Sequence, residues 1–335
     1  MESRFTRFAG ARASALIAGF LTLAAALPAF AAPDNGAAAE PPEGRSDDSP
    51  SNVSPKLFDR STLRVGGAFV LAAGVGGYFA WWKNSERHDF HTTAEGWFGR
   101  NTYAGGADKT SHFVASYAAA TLASSLYRSL GKTDRQAAWL GAGTALAASA
   151  VVEIGDGFSD YGFSWEDLVT NGLGAATAAA IERGRLGDTI GFRWGPVHAQ
   201  IPGRCCRAHG LGRDYSQEIA TMDLKLAGLL PRIGVAAGPA RFLLLSLTYG
   251  SKGYRFSPWD HRERDLGVEV GLNLAEIGRA LGLSDEKPLA KAILTVLTFI
   301  RLPYTAIGYR YDFNHSRWKG PDSGEKFDPG AVIYR

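Results

Sequence analysis

The chain has 335 residues, 45% of them hydrophobic and 21% charged, a formal net charge of +3 and two cysteines. That composition excludes a globally disordered chain, and two cysteines exclude a disulfide-dense scaffold. Three arginines and one glutamate lie in the first 31 residues, so the remainder carries only +1, which excludes a nucleic-acid binder working through a strong positive field.

Those 31 residues read as a signal peptide. Arg4, Arg7 and Arg12 form a basic start, and Ala13–Leu27 is apolar and uncharged. Ala29-Phe30-Ala31, after Pro28, puts small residues where signal peptidase reads. Cleavage is expected after Ala31; an uncleaved anchor is the alternative. No cysteine lies near that site, so a lipid-modified anchor is not expected. Residues 32–60, rich in Pro, Gly, Ser and acidic groups, have the composition of a disordered linker.

Residues 61–185 read as helical. Val65–Trp82 is eighteen residues without a charge and ends in Tyr78, Phe79, Trp81 and Trp82. At 1.5 Å per residue it reaches roughly 27 Å, enough for a thin bilayer, and aromatic ends suit a membrane interface. A buried helix with its glycines at packing contacts is the alternative. Three more helices are expected at about 107–129, 133–154 and 165–183. Ser164 stands as the N-cap of the last, with Asp167 at its third position and Phe163 placed to pack on Leu168. Asp167, Asn171 and Gly174, at spacings of four and three, share one face of that helix.

Polar residues gather at the ends of these apolar helices. Asp108 and His112 are at i, i+4 with Lys109 between, and Glu153 and Asp156 are at i, i+3. Antiparallel packing brings Asp108, Lys109, His112, Glu153, Asp156, Ser164, Asp167 and Asn171 to one end of a bundle of about four helices. Three readings of this cluster stay open. It can be a structural network, with Lys109 paired to Glu153 or Asp156, and His112 to Asp167 or Asn171. It can bind a lipid or wall-precursor headgroup, with Lys109 and His112 on phosphate. It can be a metal-dependent or acid–base hydrolase using Asp108, His112, Glu153 and Asp156, with His88, His91 and Glu95 as further ligands. No H-E-x-x-H, G-x-S-x-G or phosphate-cradling glycine loop is present. Cofactor and metal are therefore unassigned.

These residues also carry a resemblance. Glu95-Gly96-Trp97-Phe98, Tyr103 to Lys109, His112 and Tyr117 resemble the YfiM-like family of predicted bacterial envelope lipoproteins, as do Glu153, Asp156-Gly157, Phe163-Ser164, Asp167-Leu168, Asn171 and Gly174. The order D-K-x-x-H, E, S-x-x-D-x-x-x-N-x-x-G is distantly similar to the VanZ-like membrane family. Over roughly residues 90–182 the resemblance implies a helical, membrane-associated envelope domain, and it implies no particular reaction. The missing lipobox cysteine departs from the YfiM-like pattern.

Residues 186–214 read as an irregular basic connection, with glycines, prolines and the adjacent Cys205 and Cys206. Beyond 215 the period changes to two. Strands are expected over about 219–228, 241–249, 265–274 and 304–313, and helices over 275–281 and 287–300. Leu289, Ile293, Val296, Leu297 and Ile300 form an apolar stripe that reads as core or as a membrane-resting face. Four strands are too few for an outer-membrane barrel. The expected fold class is α+β, a helical bundle followed by a small antiparallel sheet with helices. The expected role is that of an exported, periplasmic and membrane-associated envelope protein that is more a binder than an enzyme. Its partner is a membrane lipid or wall component and not nucleic acid.

Overall fold

In the computed structural model, the described residues are 57–196, 215–254 and 261–322. The leader, almost all of the linker and the Cys205-Cys206 pair lie outside them. The fold is α+β, and its first half holds four long helices: α1 (Arg60–Ala80), α2 (Ala107–Ser129), α3 (Asp134–Gly157) and α4 (Trp165–Arg183). Local chemistry starts three of them. The Asp59 carboxylate accepts from Thr62 N at the head of α1. Thr133 and Gln136 form a reciprocal capping box at α3, and Ser164 accepts from Asp167 N at α4. Each cap satisfies an amide that the helix itself leaves unpaired.

Small residues set the spacing between α2, α3 and α4. Ala120, Ala138, Ala142, Ala175 and Ala178 are buried together. A Cβ on Gly141 would stand 2.5 Å from the Ala120 carbonyl, and one on Gly174 would stand 2.2 Å from the Phe113 carbonyl. Backbone therefore touches backbone at both crossings, which only a residue without a side chain permits. Gly174→Ala is expected to cost about 1–3 kcal/mol through forced separation of α2 and α4. The midpoint of urea unfolding in mild detergent measures it, and an unchanged midpoint would show that the two helices are free to move apart.

Two helical stretches, Arg60–Asn84 and Asp134–Gly157, are long and apolar enough to cross a membrane by length and composition. They differ in their surroundings. Only 22% of the most apolar window of the first is buried, against 44% for the second. Helix α1 lies mainly along α3, buries Val65 and Phe69 in a cluster with Leu122, Leu126 and Tyr127 of α2 and Leu140 and Ala148 of α3, and turns Leu63, Leu71, Val75 and Phe79 outward.

The second half is a six-stranded antiparallel meander in the order β3-β4-β5-β6-β7-β8. Its strands are β3 (Ile190–Pro196), β4 (Glu218–Lys225), β5 (Leu243–Lys252), β6 (Glu263–Leu272), β7 (Ala306–Asp312) and β8 (Arg317–Asp322). Two further residue pairs, β1 (Thr92–Thr93) and β2 (Phe163–Ser164), form a short parallel ladder beside the helices. Short helices α5 (Leu226–Arg232), α6 (Leu274–Ala280) and α7 (Pro288–Phe299) connect the strands.

Three expectations change here. The stretch 186–214, read as irregular, supplies β3, whose partner strand β4 lies beyond the connection and is visible only through pairing. With β3, strand β8 brings this sheet to six described strands where four were expected. The apolar stripe of α7 divides: Leu289 and Ile293 are exposed, Val296, Leu297 and Ile300 are half-buried, and the fully buried residues are Ala290, Ala292 and Leu294.

The sheet also inverts the usual polarity. On β6, Glu263, Asp265, Gly267, Glu269 and Gly271 are buried, and Leu266, Val268, Val270 and Leu272 are exposed. Cross-strand partners share a face, so the exposed row continues through Met222, Leu247, Val268 and Tyr309. The inner face is held by ion pairs. Arg193 grips Asp223 at 2.5 and 3.0 Å, and Arg301 grips Glu269 with two hydrogen bonds of 3.0 and 2.9 Å. A Cβ on Gly271 would stand 3.7 Å from the Arg193 guanidinium, although β3 and β6 are three strand spacings of about 4.8 Å apart. The sheet therefore curls around its charged side.

Candidate functional site

The start of α2 is placed by both halves of the chain. Gly106 caps it at φ 95°, a left-handed conformation suited to glycine. From the sheet, Ser251 Oγ donates to the Ala104 carbonyl at 2.6 Å, and the Tyr249 hydroxyl donates to the Gly105 carbonyl. The preceding loop is set by Glu166 of α4, which accepts from Gly96 N at 3.2 Å. Glu95 is thereby aimed into the helices.

Lys109 is the centre of the cluster that results. Its side chain is 2% exposed. Its Nζ donates to Glu95 Oε2 at 2.7 Å, Asp108 Oδ2 at 2.7 Å and Asp167 Oδ1 at 2.6 Å. These are the three donors of an ammonium group and three acceptors from a loop, α2 and α4. One helical turn on, His112 is 25% exposed on its side chain, 3.6 Å from Asp108, 3.7 Å from Glu153 and 3.9 Å from Asp167. The Asn171 amide lies 3.2 Å from His112 Nδ1. Glu153 Oε2 accepts weakly from Ser164 N at 3.4 Å, and its buried Oε1 has no hydrogen-bond partner among the described residues.

The structure brings Asp108, Lys109, His112, Glu153, Ser164, Asp167 and Asn171 into one cluster and puts Asp156 at its rim, where it accepts from Trp82 Nε1 at 2.6 Å. Lys109 pairs with neither Glu153 nor Asp156, the partners expected for it. It takes Glu95, Asp108 and Asp167 because the loop before α2 folds over it. His88 and His91 stay apart: His88 pairs with Asp160 at 2.8 Å and His91 with the Asp89 carbonyl at 3.2 Å. Two participants escape sequence reasoning. Glu95, named there only as a further ligand and as part of a resemblance, is a direct partner of Lys109. Tyr215, from beyond the connection, donates its hydroxyl to Asp108, and no local spacing signals that contact.

Five carboxyl groups surround two cations, and burial decides which stay charged. Burial, with the charges of Asp108 and Asp167, pushes Glu95 up to about 10. Burial likewise lifts Glu153 to about 8 against the opposing pull of His112. Asp156 rises to about 6, again through burial, despite its bond from Trp82. Burial opposes the charge on His112, but Asp167, Asp108 and Glu153 outweigh it and hold the imidazole at about 9. Burial also disfavours ionised Asp108, yet His112 and Lys109 keep it well below the usual carboxylate range. At neutral pH the cluster is therefore Lys109 and His112, both positive, facing ionised Asp108, with Glu95 and Glu153 protonated.

Asp108, His112 and Asp167 could each offer one ligand atom to a metal ion within 4.8 Å of the others. The Lys109 ammonium already stands between Asp108, Asp167 and Glu95, so a metal would compete with a fixed cation for two of its ligands. Glu153→Gln is expected to change stability by less than about 1 kcal/mol near neutral pH, because the amide mimics a carboxyl that is already protonated. A urea titration in detergent measures it; a loss of several kcal/mol would show that Glu153 is ionised in the folded state.

Residues 94–183, which hold Glu95, Asp108, Lys109, His112, Glu153, Asp156, Ser164, Asp167 and Asn171, match the family described as "Predicted periplasmic lipoprotein (DUF2279)". No curated protein matches the chain, and no solved structure does. The family match supports an exported protein of the cell envelope.

Proposed function

We propose that this exported envelope protein is held at a membrane and acts by binding rather than by catalysis. In this reading the four helices form a membrane-associated bundle of the YfiM-like and VanZ-like kind, with the Lys109 cluster as its internal lock. One observation carries the reading: beside its apolar core the helical half buries a cluster of charged groups while leaving an apolar helix face outside. Lys109, Asp108, Asp167 and Glu153 are buried, and Leu63, Leu71, Val75 and Phe79 of α1 are turned outward. Buried ions are tolerated only when paired, and a long apolar helix face left outside suits hydrocarbon better than water.

A phosphate contact through Lys109 has no support, because all three of its donors are used by the carboxyl groups of Glu95, Asp108 and Asp167. Lipid contact belongs instead to the apolar outer surface, with His112 the cluster's most exposed cation. The experiment is flotation of the mature chain, residues 32–335, with phosphatidylethanolamine–phosphatidylglycerol vesicles. The protein is expected to rise with the vesicles and to resist carbonate extraction. A chain left in the dense fraction would overturn the proposal.

A second reading, an envelope hydrolase using Asp108, His112, Glu153 and Asp156, is favoured by the metal-compatible spacing of Asp108, His112 and Asp167 and the unpartnered Glu153 Oε1. Stoichiometric metal in the purified protein, lost in Asp108→Asn, would promote it over the first.

A further inference from the structure

The outer face of the six-stranded sheet meets the helical half at Phe192, Tyr249 and Ser251, and its middle, from Met222 and Leu245 to Ile307, is exposed. We propose that this face is a lipid-contacting surface, turned to the hydrocarbon of the same membrane; the proposal rests on the membrane reading of the helical half and extends it to the C-terminal half.

Three observations point to hydrocarbon. The first is electrostatic complementarity. Over the middle of the central strands the charges point inward, where Arg193 pairs with Asp223 and Arg301 with Glu269; Glu218 and Arg264, on the outward row, lie at the end that meets Trp194 and the Phe98 carbonyl. The outward positions Leu245, Leu247, Val268, Val270 and Ile307 carry none. A sheet that buries ions and exposes aliphatics has the polarity order of strands in a bilayer, lumen side polar and lipid side apolar.

The second is area. Val268 and Ile307 are 57% and 56% exposed, and their neighbours are of the same order. Exposed apolar side chains run contiguously across four strands, from Met222 through Leu245, Leu247, Val268 and Val270 to Ile307, the kind of patch that marks an interaction or membrane surface. An open groove of about 760 Å³ runs along it between Met222, Leu247, Val270 and Tyr309, with room for alkyl chains.

The third is what the face lacks. An interface between two copies carries a polar rim and about one hydrogen bond per 100–200 Å². Here the side chains with a donor gather toward the β7–β8 edge, as Tyr309, Tyr311 and Trp318. Aromatic residues with one polar atom at the border of an aliphatic patch are the pattern of a membrane interface. Apolar exposure also continues on α1, through Leu71 and Phe79, and on α4, through Val169 and Leu173, which is more surface than one partner copy would cover.

The test uses the mature chain with Cys205→Ser and Cys206→Ser and one new cysteine, at Val268, at Ile307 or, as a control, at Asp285 in the exposed α6–α7 loop. Each is labelled with an environment-sensitive fluorophore and reconstituted into phosphatidylethanolamine–phosphatidylglycerol vesicles containing brominated acyl chains. The expected result is quenching several-fold stronger at Val268 and Ile307 than at Asp285. If the protein floats with the vesicles but neither label is quenched, this proposal falls and the membrane reading of the helices stands. Cross-linking of Val268→Cys to its own counterpart, without quenching, would assign the face to a second copy. A protein that does not float removes both proposals. The two label sites guard against a local folding failure, because either one decides the question.

Discussion

Lys109→Met is expected to destabilise the protein by about 3–5 kcal/mol, the cost of leaving buried carboxylates without their cation. Methionine fills a similar volume, so the loss is electrostatic rather than a cavity effect. Asp108 and Asp167 would face each other, with Glu95 beside them, without the cation that now lies within 2.7 Å of all three. Denaturant midpoints in mild detergent measure the loss. A second variant separates charge from packing: adding Asp167→Asn to Lys109→Met should recover part of the stability, because one repelling charge is gone. A loss below about 1 kcal/mol, the range of exposed ion pairs, would mean that water reaches the cluster and that it does not lock the helices.

Stability is expected to fall as pH rises from about 5 to about 9. Glu95 and Glu153 titrate near 4.5 when unfolded and are raised to about 10 and about 8 when folded. Between those limits the folded protein keeps protons that the unfolded chain has released, and linkage then makes stability decrease with pH. His112 adds to the same trend. Its folded value of about 9 exceeds its unfolded 6.5, so its contribution is complete below about 6.5 and is lost as pH climbs through about 9. Asp108 acts oppositely but outside the window: its stabilisation is present above its unfolded value near 3.8 and disappears only in strong acid. Each retained proton contributes a slope of up to about 1.4 kcal/mol per pH unit. Unfolding midpoints across this range check the sign, and a flat or rising profile would show that the carboxyl groups are ionised throughout. Glu153→Gln should flatten the part of the profile between about 4.5 and 8.

The cluster is partly written in short spacings. Asp108 and His112 at i, i+4 and Ser164 with Asp167 at i, i+3 place themselves, because a helix fixes neighbours within one turn. The partners of Lys109 are not written that way. Its long side chain could reach Glu153 or Asp156 across the helices as readily as Asp167. The choice falls to the 92–106 loop, which carries Glu95 into place through the Glu166–Gly96 bond. Tyr215 joins Asp108 from a segment more than a hundred residues away, and only the docking of β5 on the start of α2 makes that distance short.

The sheet marks the same boundary more sharply. Alternation along Asp265–Leu272 is plain in the sequence, and so is the helical character of 107–129 and 165–183. Periodicity and caps depend on residues within a few positions of one another, and the sequence alone determined those. Which face of an alternating strand turns inward has two solutions, and local pattern favours the apolar one. Here the tertiary structure decided for the charged face, because Arg193 meets Asp223 and Arg301 meets Glu269 only once strands distant in the chain are paired in register. Those pairings offset the cost of burying charge and leave the aliphatic face outside.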